Sequence, residues 1–219
     1  MLFAFQQMNA QINLKVGYSL AYTNPEIHNR IIESYNEQRP WLSQPMKETN
    51  NLNGFLFGIR YKMGRLAAEL SWENQFDRFK ASGEDPSNDS KVTESIYFKQ
   101  AFYSFGLESF FTENLSIKAS FDLNQIRYRA ERTNVDGRFV LMKDWGYGST
   151  FSIGYNFVGD RIMHVSIRPF MHISWTDFDI SAFDEAINPD TTINTDPNDY
   201  QESFVSYGIK LVFYNGYWD

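Results

Sequence analysis

The chain contains no cysteine, which removes disulfide frameworks and thiolate metal sites from consideration. No apolar run approaches the roughly 20 residues of a spanning helix; this excludes a helical membrane protein and leaves membrane-crossing strands open. Basic charge is in deficit, with 20 Lys and Arg against 27 Asp and Glu and a net charge of −7, so a generic nucleic-acid binder is excluded. Only three histidines occur, His28, His164 and His172, too scattered for a metal centre, and no carboxylate spacing matches a calcium loop. No metal and no cofactor are expected.

What is abundant is aromatic side chain, 17% of 219 residues, in a chain whose mean hydropathy is −0.45. The aromatics and aliphatics recur at every second position, the period of a strand with two unlike faces. In "TFSIGYNFVGDRIMHVSIRPFMHISW", Phe151, Ile153, Tyr155 and Phe157 oppose Thr150, Ser152, Gly154 and Asn156. After "VGDR", Met163, Val165, Ile167, Met171, Ile173 and Trp175 oppose His164, Ser166, Arg168, His172 and Ser174. Two such runs joined by a short turn predict a hairpin. The pattern occurs eight times, including "INLKVGYSLAY" at the beginning and "FVSYGIKLVFY" at the end. The run from about Ser95 to Leu107 is the least regular, because Ile96, Phe98 and Phe102 fall on the parity opposite Tyr97, Ala101, Tyr103, Phe105 and Leu107. Between Leu115 and Asn124 alternation is clean, and its change near Gln125 and Ile126 predicts a bulge or an exit from lipid.

Alternation alone fits either a soluble sandwich or a membrane barrel. The connections separate them. They alternate long (Thr23 to Leu52, Lys80 to Glu94, Glu131 to Lys143, Ser181 to Glu202) and short ("MGR", "ESFFTEN", "VGDR"). Short periplasmic turns and long external loops produce this asymmetry in outer-membrane barrels, with both termini periplasmic. Strand lengths also match the roughly 9–11 residues that a tilted membrane strand needs. Aromatic rims fit two interface girdles: Tyr22, Trp72, Phe76, Trp145, Tyr147 and Trp175 toward the long loops, with Phe157, Phe213, Tyr214, Tyr217 and Trp218 toward the short turns. The fold expected is all-β, a closed eight-stranded antiparallel transmembrane barrel in a bacterial outer membrane, in contact with its lipid and lipopolysaccharide. The N-terminal "MLFAFQQMNAQ" reads as the tail of a secretory signal with cleavage near Ala10, although it lacks a basic beginning. Residues 1–10 are then a signal remnant and 11–219 one barrel domain.

On these residues the chain resembles small eight-stranded bacterial outer-membrane barrels, and "AQINLKVGYSLAY" with "SYGIKLVFY" is similar to barrel-domain proteins of the Bacteroidota. The resemblance implies a fold and a membrane, and no activity.

Eight strands enclose an interior that side chains fill. The inward parity carries Arg60, Lys62, Glu69, Glu73, Asp77, Lys118, Asp122, Arg168, His172 and Lys210, and opposite charges confined there must pair and hydrogen-bond. A plugged lumen is expected, which makes a small channel the weaker alternative. His172 and Ser174 share the inward parity, a pair that resembles the His-x-Ser of outer-membrane lipid A deacylases and raises a lipid hydrolase as another alternative. That family has Asn after its Ser, where this chain has Trp175, and its serine works at the lipid-facing surface, whereas Ser174 points inward. The acidic, turn-rich "NPDTTINTDPND" reads as an ordinary exposed loop. In the first loop, Ile27, Ile31, Ile32 and Tyr35 have helical spacing after Asn24 as N-cap and Pro25 at the first helical position. The apolar side of that helix must be covered by the barrel rim, other loops or another protein. The reading that follows is a non-enzymatic accessory subunit that docks to a larger outer-membrane complex through Thr23 to Leu52, or binds through its loops.

Overall fold

A computed structural model describes residues 10–86, 89–133, 135–157, 163–190, 192–193 and 197–216. Apart from Ala10, the signal-peptide reading falls outside them, as do the "VGDR" turn, Tyr217 and Trp218. Eight long strands follow in order: β1 (Ala10–Thr23), β2 (Asn51–Met63), β3 (Leu66–Asp85), β4 (Ser90–Phe110), β5 (Leu115–Arg132), β6 (Phe139–Phe157), β7 (Met163–Ser174) and β8 (Ser206–Asn215). Each pairs antiparallel with its sequence neighbour. β8 returns to β1, from Lys15 opposite Tyr214 to Thr23 opposite Ser206. The sheet closes and leaves no open edge along the ring.

The wall shows why the sequence alternates. Outward Ile12, Leu70, Leu107, Ile153 and Ile209 are more than half exposed, while inward Asn13, Arg60, Glu69, Asp122 and Ser166 are buried. The outward set continues around the ring, through Leu14, Phe57, Phe105, Phe121, Phe151, Met171 and Leu211. A continuous apolar belt is far larger than the few hundred Å² that a water-facing surface carries, so lipid is its solvent. Replacing Ile167 on this belt with Asp is expected to cost roughly 2 kcal/mol and to lower the temperature at which the folded band disappears on an unboiled gel; unchanged heat stability would contradict the assigned face.

The two ends differ. Gly64 and Arg65 alone join β2 to β3, with Gly64 at φ +57°, a left-handed position that suits glycine in a tight turn. Residues 111–114 join β4 to β5. The opposite end is not built of four loose loops. The expected loops Lys80 to Glu94 and Glu131 to Lys143 are mostly strand: β3 and β4 stay paired out to Asp85 and Ser90, and β5 and β6 out to Ala130 and Phe139. Only the first and last connections are long. The first holds α1 (Glu26–Glu37) and a short strand, Leu42–Gln44, paired onto β3. The last holds α2 (Ser181–Ile187) and a two-residue pairing of Phe178–Asp179 with Gln201–Glu202.

The strands overshoot the belt because the chemistry of their faces inverts. Above the belt, inward positions turn apolar (Phe79, Ala81, Ile96, Phe98, Ile126, Tyr128, Met142), all buried. They form one hydrophobic core with Ile31, Ile32 and Tyr35 of α1 and with Phe178, Phe183, Ile187 and Phe204 of the last connection. This explains the irregular parity around Ser95 to Leu107, where Ile96, Phe98 and Phe102 face inward. It also corrects the expected bulge at Gln125 and Ile126: pairing runs unbroken through both residues, and the irregularity comes later, between Tyr128 and Arg129. The parity holds while the solvent outside it changes from lipid to water.

Candidate functional site

Below that core, the lumen is held by ion pairs. Glu69 on β3 meets Lys15 of β1 at 2.5 Å and also contacts Lys118 of β5. Glu108 on β4 meets Arg168 of β7 at 2.5 Å and lies 3.9 Å from Arg60 of β2. Glu73 on β3 meets Lys210 of β8 at 2.5 Å and accepts from Gln75. Asp122 on β5 accepts from Thr150 at 2.5 Å and lies 3.2 Å from Nδ1 of His172, whose Nε2 is 3.1 Å from Asn124. Gly148 makes the space for that imidazole, since a Cβ there would sit 2.5 Å from His172 Cε1. Most links join strands two or three apart around the ring, so they reach past the neighbouring strand and tie separate parts of the wall together.

Eight of the nine charged residues expected in the lumen meet there. Arg60 also bonds Asn13 and stacks 3.7 Å over Tyr214, and Lys62 lies 5.3 Å from the Phe110 ring. Asp77 does not join them: it is half-buried at the top of the belt and accepts the backbone amide of Arg78. Glu108 escapes the sequence pattern because it lies in "ESFFTEN", which reads as a turn; its parity with Ser104 and Gly106 on the inward face is the signal that places it. Tyr214 is likewise buried in the lumen, at 1% exposure, and not in the short-turn girdle. Tyr22, Trp72, Trp145, Trp175 and Phe213 do face outward. Several stack with aromatic neighbours, as Tyr103 does with Trp145 at 5.9 Å.

Ser174 and His172 share a wall and not a hydrogen bond. The Ser174 hydroxyl donates to the Thr176 carbonyl at 2.7 Å, while both His172 nitrogens are directed to Asn124, Thr150 and Asp122. No base is thereby presented to the serine. The enclosed cavity among Lys15, Glu73, Lys118, Arg168 and Lys210 measures about 20 Å³, room for about one water. No group of three or more metal-ligating side chains occurs among the described residues.

Over the filled lumen lies a folded cap. Pro25, and not Asn24, occupies the N-cap of α1 and contributes no side-chain bond. The orphan amides of Ile27 and His28 donate instead to Glu202, at 2.7 and 3.0 Å, so the last connection caps the first. Asp184 of α2 gathers Asn188, Ile193 and Tyr200. Glu94 receives both Tyr35 of α1 and Arg132 of β5, and Arg132 also donates to the Ala186 carbonyl. The apolar face of α1 is therefore covered by the barrel's own extension and by α2.

His28 is wholly buried at the centre of this cap. Its Nε2 lies 2.7 Å from the Thr49 hydroxyl and its Nδ1 3.0 Å from Tyr128, while Phe79, Phe98 and Phe183 surround the ring. Burial pushes its pKa down to about 3. The unfolded cap binds a proton below the usual histidine value near 6.5 and the folded cap does not, so stability is lost as pH falls from there toward 3. Burial raises the Glu202 carboxyl, a shift of the opposite sense. Protease sensitivity of the cap is expected to rise between pH 6.5 and 4.5, and the part due to His28 should vanish in His28→Phe.

No family model matches the chain, and no curated protein matches it. Among solved structures it is similar to Ail, the attachment invasion locus protein of Yersinia pestis, crystallised with a heparin analogue: 10% identity, 95% of this chain and 99% of that one, TM-score 0.45. It is also similar to Neisserial surface protein A, at 9% identity over 95% and 99% of the two chains with TM-score 0.43. A third is the outer membrane protease OmpT of Escherichia coli, at 9% identity over 96% and 97% with TM-score 0.42. The barrel itself rests on its own strand pairing.

Proposed function

We propose that this chain is an integral barrel of a bacterial outer membrane that serves as a non-enzymatic accessory subunit, docking to a larger outer-membrane protein complex. The observation that carries the reading is a closed lumen of salt bridges beneath a folded cap. Among the described residues the charged interior encloses about 20 Å³, which argues against a conduit or an internal substrate site and favours action at the outer surfaces. Both described chain ends lie at the short-turn end, where Ala10 pairs with Met63 and Asn215 with Met163, which supports a periplasmic short-turn end and a cap on the exterior.

The cap qualifies the docking surface. The apolar residues of Thr23 to Leu52 are committed inward, so a partner reads the polar outer side of α1, with Glu26, Arg30 and Glu37 exposed or near the surface, or the lipid-facing wall. The test is gentle detergent extraction of the tagged full chain from native outer membranes, followed by native sizing and mass spectrometry. A stoichiometric larger partner, lost when the exposed side of α1 is recharged, supports the accessory role. A lone barrel of about 26 kDa under the same extraction overturns it.

A further inference from the structure

From the outer girdle upward, the wall carries basic residues on one side only among the described residues. On β3, β4, β5 and β6, Phe76, Lys99, Arg127 and Lys143 stand in one cross-strand row. Two positions further out, Arg78, Tyr97 and Arg129 form the next row. All have outward parity. Lys99 lies 5.7 Å from the Trp72 ring and Lys143 5.7 Å from the Trp145 ring, so the lower row rests on the girdle. On the opposite wall, the corresponding level holds Tyr22, Asn51 and Tyr207.

This cluster is net positive in an acidic chain: its five bases outnumber Asp77, which lines the same cleft, and Glu131, which acts on Arg78. Among the described residues no carboxylate forms an ion pair with Arg78, Lys99, Arg127, Arg129 or Lys143. The nearest acids are Asp77, which accepts the Arg78 backbone amide, Asp144, which accepts that of Trp145, and Glu131, which binds Arg138 and Tyr97 at the edge of the cluster. The buried Nε of Arg129 has no hydrogen-bond partner among the described residues. Arg78, Lys99, Arg127, Arg129 and Arg138 line a cleft of about 380 Å³. Four adjacent strands and two rows span about 15 by 7 Å, more than one phosphate requires.

We infer that Arg78, Lys99, Arg127, Arg129 and Lys143 form a binding site for the phosphorylated headgroup of an outer-leaflet glycolipid whose acyl chains lie along the apolar belt below. Lipid is favoured over a soluble anion because the cluster faces sideways off the wall, directly over the aromatic girdle, where headgroups lie. The inference rests on the outer-membrane reading and adds the recognised group.

The test uses the full refolded chain in detergent micelles, with native mass spectrometry against bisphosphorylated lipid A, the same lipid dephosphorylated, and inorganic phosphate. One retained lipid A per barrel is expected. Removing both phosphates, or making Lys99→Gln/Arg127→Gln/Arg129→Gln, should weaken retention roughly 100-fold. Arg65→Gln/Lys91→Gln removes positive charge from exposed positions elsewhere and should change nothing. Equal retention of the dephosphorylated lipid, full binding by the first triple variant, or displacement by equimolar inorganic phosphate would each overturn the site. Heat-modifiable folding in the same samples separates the two ideas: a barrel that folds in micelles and ignores phosphate loses the site alone, and one that folds without detergent loses the membrane reading.

Discussion

Glu69→Gln is expected to destabilise the barrel by about 3–5 kcal/mol, the largest effect of any conservative substitution in the lumen. Glu69 is the single carboxylate that both Lys15 and Lys118 contact, and it is fully buried. Glutamine keeps its shape and removes its charge, leaving two ammonium groups side by side in a site with little water. Breaking a buried pair costs more than the pair contributes, because the remaining charge stays desolvated. The measurement is the urea midpoint for loss of the heat-modifiable band. Glu69→Gln/Lys15→Met/Lys118→Met should recover most of the loss by removing the stranded cations. If Glu69→Gln alone leaves the midpoint unchanged, these contacts do not hold the walls together.

The second large effect separates the cap from the barrel. Phe183 of α2 is fully buried, stacked at 4.3 Å on Tyr128 and at 5.3 Å on His28. Truncating it to alanine should cost the cap about 3–5 kcal/mol through lost contacts and the cavity left behind. The ring of strands does not depend on α2, so the loss should be local. Hydrogen exchange and limited proteolysis are expected to show residues 26–50 and 181–202 opening together in Phe183→Ala, because Glu202 of one connection caps α1 of the other. The midpoint of barrel unfolding should stay within experimental error of the unmodified protein. A fall in that midpoint equal to the loss in the cap would mean that cap and barrel are one cooperative unit.

Much of the wall is legible in the sequence because a strand in lipid has two solvents, and period two separates them residue by residue. β1 is the clearest case: Ile12 to Tyr22 point outward and Asn13 to Ala21 inward at every step. The same logic places Arg60, Glu69, Asp122 and Arg168 in the lumen. It falters where the solvent changes and the parity does not. Around Ile96 to Phe102 and Ile126 to Ala130, apolar residues take the inward face because the cap lies there, and a rule that equates apolar with outward reads them as a break. The extended hairpins of β3–β4 and β5–β6 are hidden for the same reason, since their outward faces carry residues such as Lys80, Glu84, Lys91 and Glu131 that read as loop.

The sequence by itself determined the strand count, the antiparallel barrel class, the facing of almost every residue in the belt and the presence of α1, since each depends on local periodicity. Tertiary structure alone decided who pairs with whom across the lumen, because Lys15 with Glu69 and Glu108 with Arg168 meet only after the ring closes. It alone converted Glu202 into the cap of a helix far away in the chain. It also aligned Lys99, Arg127 and Lys143 into one row, because register between strands is set by the closed sheet and no single strand carries it.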